Sequence, residues 1–127
     1  MNKKDKIEKF TDLLAWQEGH NLVLLIYEVT KRFPKDELYS LTNQIRRSAV
    51  SVTSNIAEGF GKLSYKEKLH YYYNTHGSLI ELKNQIIIAK DVGYITNKIY
   101  NQLMEAADCT HRLLQGLIKS TKNIIYS

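Results

Sequence analysis

A single cysteine, Cys109, leaves this chain no intrachain disulfide and suits a reducing, cytoplasmic setting. A single proline, Pro34, and only six glycines leave few places where the backbone must break. That scarcity argues against a fold of many short strands and turns, and for long helices. Long apolar runs are missing too. The richest, residues 22–27, is far too short to cross a bilayer. The opening MNKKDKIEKF has no apolar core of signal-peptide length, so no secretory leader is expected.

What remains is ordinary globular material. Hydrophobic residues make up 43% and charged residues 24% of 127 positions, enough for one domain around one core, spanning 1–127. The lysine-rich residues 1–10 and the end 123–127 are expected to fray. The net charge is +5, which makes an anionic partner a candidate.

Apolar residues recur at three- and four-residue spacing in four segments. The first helix is expected over residues 12–32. It carries one stripe of Leu13, Trp16, His20, Val23, Tyr27 and Thr30, and a second of Leu22, Ile26, Val29 and Phe33. Pro34 stops it. The second helix is expected from 34–36 to Glu58, with Leu38, Leu41, Ile45, Ser48, Val52 and Asn55 as its seam and Gly59 as its left-handed terminator. The third is expected over 64–92, opened by the capping box Ser64-Tyr65-Lys66-Glu67. It has a mid-helix Gly77 that suggests a close crossing, and Gly93 ends it. The fourth runs from the N-cap Thr96 to about Thr121. Four long amphipathic helices with short connections predict an all-α, antiparallel up-down-up-down four-helix bundle.

That topology sorts the charges by height. The end holding the termini and the second turn has nine lysines (among them Lys3, Lys4, Lys62, Lys66, Lys68, Lys119 and Lys122) against five acids. It holds +4 of the net +5. Such a surface can neutralise phosphates without reading sequence, so nucleic acid is the candidate ligand of these lysines.

Other patterns point to chemistry only superficially. Gly61-Lys62-Leu63-Ser64 lacks the hydroxyl directly after lysine, and the preceding strand, that a phosphate-binding P-loop needs. Glu67-x-x-His70 and Asp108-x-x-His111 have di-iron spacing. In an antiparallel bundle, however, the two pairs sit roughly 12–16 Å apart in height at 1.5 Å per residue. No metal site, cofactor or nucleophile–base pair is expected, and the chain does not read as an enzyme. In the run Tyr71-Tyr72-Tyr73 at least one ring must face away from the core, and an outward ring beside lysines suits stacking on bases or anchoring a subunit interface, with Tyr71 and Tyr73 the candidates. With Ile45 inward, Arg46 falls on the flank of its helix and Arg47 points out. Either suits a pairing with Glu58, Glu81 or an acid of a second subunit.

Residues 44–67 read QIRRSAVSVTSNIAEGFGKLSYKE. The stretch resembles the four-helix-bundle family of proteins encoded in intervening sequences of bacterial 23S ribosomal RNA genes. The shared residues include Gln44, Ile45, Arg46, Arg47, Ser51, Val52, Asn55, Ile56, Ala57, Glu58, Gly59, Gly61 and Ser64, with Trp16, Phe33-Pro34, Gly77-Ser78-Leu79 and Glu81 further along. Lys62, Ser48 and Lys83 depart from the family pattern. The resemblance implies a bundle that assembles into rings, typically homopentamers. It makes Arg46, Arg47, Asn55, Glu58, Gly59, Gly61 and Glu81 signature or interface residues. It also implies two kinds of partner besides further copies of the chain: ribosomal or other RNA, or a protein such as a reverse transcriptase, which a related accessory protein of diversity-generating retroelements contacts.

Overall fold

The computed structural model describes residues 6–127. Residues 1–5, with Lys3, Lys4 and half of the expected N-terminal tail, lie outside them. Four helices follow: α1 (Leu14–Thr30), α2 (Leu41–Gly61), α3 (Tyr65–Asp91) and α4 (Asn97–Ile125), with short 3-10 turns at Phe10–Asp12 and Lys35–Glu37. No strand occurs among the described residues. Each helix packs against two others, in the cycle α1–α2–α3–α4 and back to α1. So α1 lies diagonally across from α3, and α2 from α4.

The core runs the length of the four helices. Leu22, Ile26, Ile45, Val52, Ile56, Leu79, Leu82, Ile86, Leu103 and Leu114 are all essentially sealed from solvent. In α1 the buried positions are Leu22 and Ile26 of the second expected stripe, Thr30 of the first, and Ala15 and Gly19 between them, with Phe33 buried just past the helix end. Tyr27, placed on the first stripe, is exposed. Gly19 marks a close approach of α1 to its neighbours. A Cβ there would meet Thr53 Cγ2 at 3.1 Å and Val52 Cγ1 at 3.3 Å, so α1 turns its slimmest edge to α2. Leu38, expected in the seam of α2, is also exposed.

The boundaries moved where local hydrogen bonds compete with the helix. Asp36 and Glu37 do not open α2, which begins at Leu41. Glu37 instead accepts hydrogen bonds from Ser40 Oγ and from Tyr94 Oη, the latter at 2.5 Å, and so ties the first connection to the third. Gly93 does end α3 with φ +86, the only positive φ among the described residues. The Tyr94 N–H reaches back to Ala89 O at 2.9 Å. Ser64 Oγ accepts from Glu67 N at 3.0 Å and Thr96 Oγ1 from Ile99 N at 3.2 Å, as their N-cap positions predict.

Candidate nucleic-acid interface and signature face

The turn between α2 and α3 is built from a close approach. Gly59 is not the left-handed terminator that its place in the sequence suggests: it lies inside α2, which continues to Gly61. A Cβ at 59 would meet Tyr72 Cε1 at 2.8 Å and Tyr71 Cβ at 2.9 Å. Glycine is there because α3 needs the space. Tyr72 fills it and is buried, and burial pushes its hydroxyl up to about 12. Its neighbours divide the remaining directions. Tyr71 is half-buried with the Lys62 ammonium 5.1 Å above its ring, and Tyr73 faces outward at 46% exposure. A Cβ at Gly77, by contrast, would meet nothing within 4 Å, so this glycine marks no close crossing.

The lysines expected at the basic end fall into two groups. Lys68 donates from Nζ to Phe60 O at 2.5 Å and lies over the rings of Phe60 and Tyr65. Burial holds its ammonium below the ordinary lysine range. Lys62 is likewise laid on Tyr71. Lys66, Lys119 and Lys122 are exposed. None of the five forms an ion pair with a carboxylate among the described residues.

Higher on α2 the arginines separate as their spacing predicts. Ile45 is buried, Arg46 half-buried and Arg47 exposed. Arg46 does not pair with Glu58 or Glu81. Its Nε donates to Thr30 Oγ1 at 2.8 Å, and its guanidinium lies 4.9 Å above the Tyr27 ring. Thr30 Oγ1 is held in turn by donating to Ile26 O at 2.7 Å. Arg47 makes no intrachain ion pair among the described residues and lines an open groove of about 540 Å³. Tyr39, Asn43, Gln44, Ser48, Ser51 and Glu81 form the rest of the groove. Asn55 buttresses it from below: Nδ2 donates to Ser51 O at 2.9 Å and to Ser51 Oγ at 3.0 Å, and Ser51 Oγ meets Ser78 Oγ at 2.8 Å across to α3. Glu58 and Gly61 are exposed further along α2. The signature residues thus split into a structural set (Arg46, Asn55, Gly59) and an outward set (Arg47, Glu58, Gly61, Glu81).

Among the described residues no three His, Cys, Asp or Glu side chains converge as a metal site. Glu67 and His70 stay apart from Asp108 and His111. The partner of His111 is His76, whose Nδ1 lies 3.0 Å from His111 Nε2, with Lys83 Nζ 2.9 Å from His111 Nδ1. Sequence reasoning missed this row. The signal was present in the register, because His76 and Lys83 are two turns apart on the flank of α3 that faces α4. His20, the other half-buried histidine, stacks on Trp16 at 4.7 Å between ring centroids.

No curated protein is similar in sequence to this chain at a significant level. Among solved structures, a protein of unknown function from the S23 ribosomal protein family of Bacteroides thetaiotaomicron VPI-5482 superposes with a TM-score of 0.77 at 19% identity. The match covers 84% of this chain and 99% of that one, and at that identity it shows a shared fold. The family model of the 23S rRNA-intervening sequence proteins matches residues 11–116, the span that holds the Arg46-Arg47 pair, the Gly59 contact and the groove, and the chain therefore belongs to that family.

Proposed function

We propose that the chain is a non-enzymatic, cytoplasmic bundle that assembles into a ring, most simply a homopentamer, and binds RNA through its basic end. The bundle is read as up-down-up-down. Contacts support this, because partner numbers fall along one helix as they rise along the next: Ser51 with Ser78 but Gly59 with Tyr72, and Lys83 with His111 but Lys90 with Tyr100. In that topology Lys62, Lys66, Lys68, Lys119 and Lys122 share one end.

The observation that carries the RNA reading is the exposure of Lys66, Lys119 and Lys122, none of them neutralised by a carboxylate among the described residues. Phosphates are the ligand class that such charges attract, and release of counterions makes the binding salt-dependent. Two outward apolar faces support the ring. One is Tyr73, Ile80 and Ile87 on α3, and the other is Leu24 and Tyr27 on α1 with Val50 on α2. Two different faces suit a head-to-tail interface that closes by rotation. Light scattering tests the ring: a mass near five times 14.8 kDa is expected, and a persistent monomer at micromolar concentration contradicts it.

A second reading is a scaffold that docks a protein such as a reverse transcriptase without affinity for nucleic acid. It is favoured by the commitment of Lys62 and Lys68 to aromatic rings of their own chain. Fluorescence anisotropy with a structured RNA under increasing salt separates the readings. The first predicts affinity that falls steeply with salt, the second none at any salt.

A further inference from the structure

Four ionisable side chains meet between α3 and α4, away from the basic end. Asp108 Oδ1 lies 2.8 Å from Lys83 Nζ, Lys83 Nζ 2.9 Å from His111 Nδ1, and His111 Nε2 3.0 Å from His76 Nδ1. Two come from each helix, so the row spans the seam. Lys83 is well shielded, with 16% of its side chain exposed.

The chemistry of the donors fixes the direction of every hydrogen bond. An ammonium has three donors and no acceptor, so His111 Nδ1 must accept from Lys83. A neutral imidazole that accepts at Nδ1 carries its proton on Nε2. His111 Nε2–H therefore donates to His76 Nδ1, which leaves the His76 proton on Nε2. Asp108 holds the ammonium from the other side. The row is complete only with both rings neutral. A proton added to His111 points an N–H at the Lys83 ammonium. A proton added to His76 points an N–H at the His111 N–H. If His111 moves its own proton to Nδ1 to relieve that, the conflict reappears at Lys83.

We propose that Asp108, Lys83, His111 and His76 form an acid-released clasp that joins α3 to α4 while both imidazoles are neutral and opens when either takes up a proton.

The surrounding charges agree with this. Facing His111 from α3 are Lys83 and His76, and from α4 Asp108; Glu105 and Arg112 are exposed on α4. From α1 and α2 no hydrogen bond or ion pair reaches the row among the described residues. Burial, first, and then Lys83 and His76 hold His111 below its ordinary value of 6.5, with Asp108 opposing them. The unfolded chain then takes up the proton before the folded one does. The contribution to stability is complete above about 6.5 and is lost as the pH falls from there through the folded value.

Histidine-detected NMR on the intact protein tests the clasp without perturbing it. At pH 7.5 both His111 and His76 are expected as the Nε2–H tautomer, with His111 titrating below 6.5. Amide exchange in α3 and α4 around the row, corrected for its intrinsic pH dependence, is expected to accelerate as the pH drops through that midpoint. In K83M the His111 midpoint is expected to move up toward 6.5, because the ammonium that opposes the proton has gone. An Nδ1–H tautomer at His111, a midpoint at or above 6.5 in the wild type, or a midpoint unmoved in K83M overturns the proposal. The wild-type tautomer decides it even if K83M fails to fold.

Discussion

Gly59 and Tyr72 are packed so closely that the smallest side chain at 59 would overlap the tyrosine ring, 2.8 Å from its Cε1. Tyr72 is 2% exposed and Tyr71 Cβ, 2.9 Å away, is fixed to the α3 backbone, so neither can retreat cheaply. G59A is therefore expected to destabilise the protein by about 1–3 kcal/mol, the usual cost of overpacking. That cost outweighs the gain of roughly 1 kcal/mol that alanine brings to a helix interior. G77A and G116A gain helix propensity into open space and are expected to stabilise by roughly 0.5–1 kcal/mol. Urea denaturation of the three variants checks the contrast. A G59A protein as stable as G77A would show that the close approach costs nothing.

Thr42 is buried at 3% exposure, and its hydroxyl has no partner among the described residues. Valine has the same shape and no polar atom to desolvate. T42V is expected to raise stability by about 1 kcal/mol. A loss of stability on thermal or urea unfolding would mean that the hydroxyl is satisfied after all.

Arg46 and Arg47 are neighbours in sequence with opposite tasks. Lysine at 46 cannot reproduce the planar Nε donor to Thr30 or the stacking over Tyr27. R46K is expected to cost about 1 kcal/mol. R47K leaves the intrachain contacts untouched and is expected to leave subunit stability unchanged. Its effect, if the groove is an interface, appears in the oligomer mass. Equal losses for the two variants would contradict the assignment.

Glu37 lies below its ordinary carboxylate value because Ser40 and, next, Tyr94 donate hydrogen bonds to it. For a carboxylate lowered on folding, the stabilisation is present above the unfolded value and lost as the pH falls through the folded one. Acid unfolding followed by circular dichroism between about pH 5 and pH 2 is therefore expected to be less pH-dependent in E37Q than in the wild type. Y94F is expected to shift the profile the same way, more weakly, while keeping the ring against Phe33. Unchanged profiles in both would remove Glu37 from the account.

The four helices are legible in the sequence because their apolar periods are long and Pro34 and Gly93 punctuate them. The choice of stripe is not. In α1, Trp16, His20 and Tyr27 keep a helical period as well as Leu22, Ile26 and Phe33 do, and only the packing of the bundle separates the buried positions from the rest. Gly59 misleads because a glycine near a helix end has two uses, positive φ or close approach, and the sequence does not say which. The start of α2 is misplaced because Glu37 satisfies a tyrosine 57 residues away. Arg47 is exposed, as its rotation from the buried Ile45 requires. The His76–His111 row escapes a reading that weighs His111 as a metal ligand beside Asp108 and not as the partner of a histidine on α3.

The most direct test of the functional account is the slope of log Kd against log salt for a structured RNA, for the wild type and for K66Q/K119Q/K122Q. These three lysines are exposed and carry no structural hydrogen bond comparable to that of Lys68. The account predicts a steep slope for the wild type and one that is shallower by about 2 to 3 in the variant, at roughly 0.7–0.9 for each phosphate no longer neutralised. Weak binding that does not respond to salt, or a variant slope equal to the wild type, would contradict it.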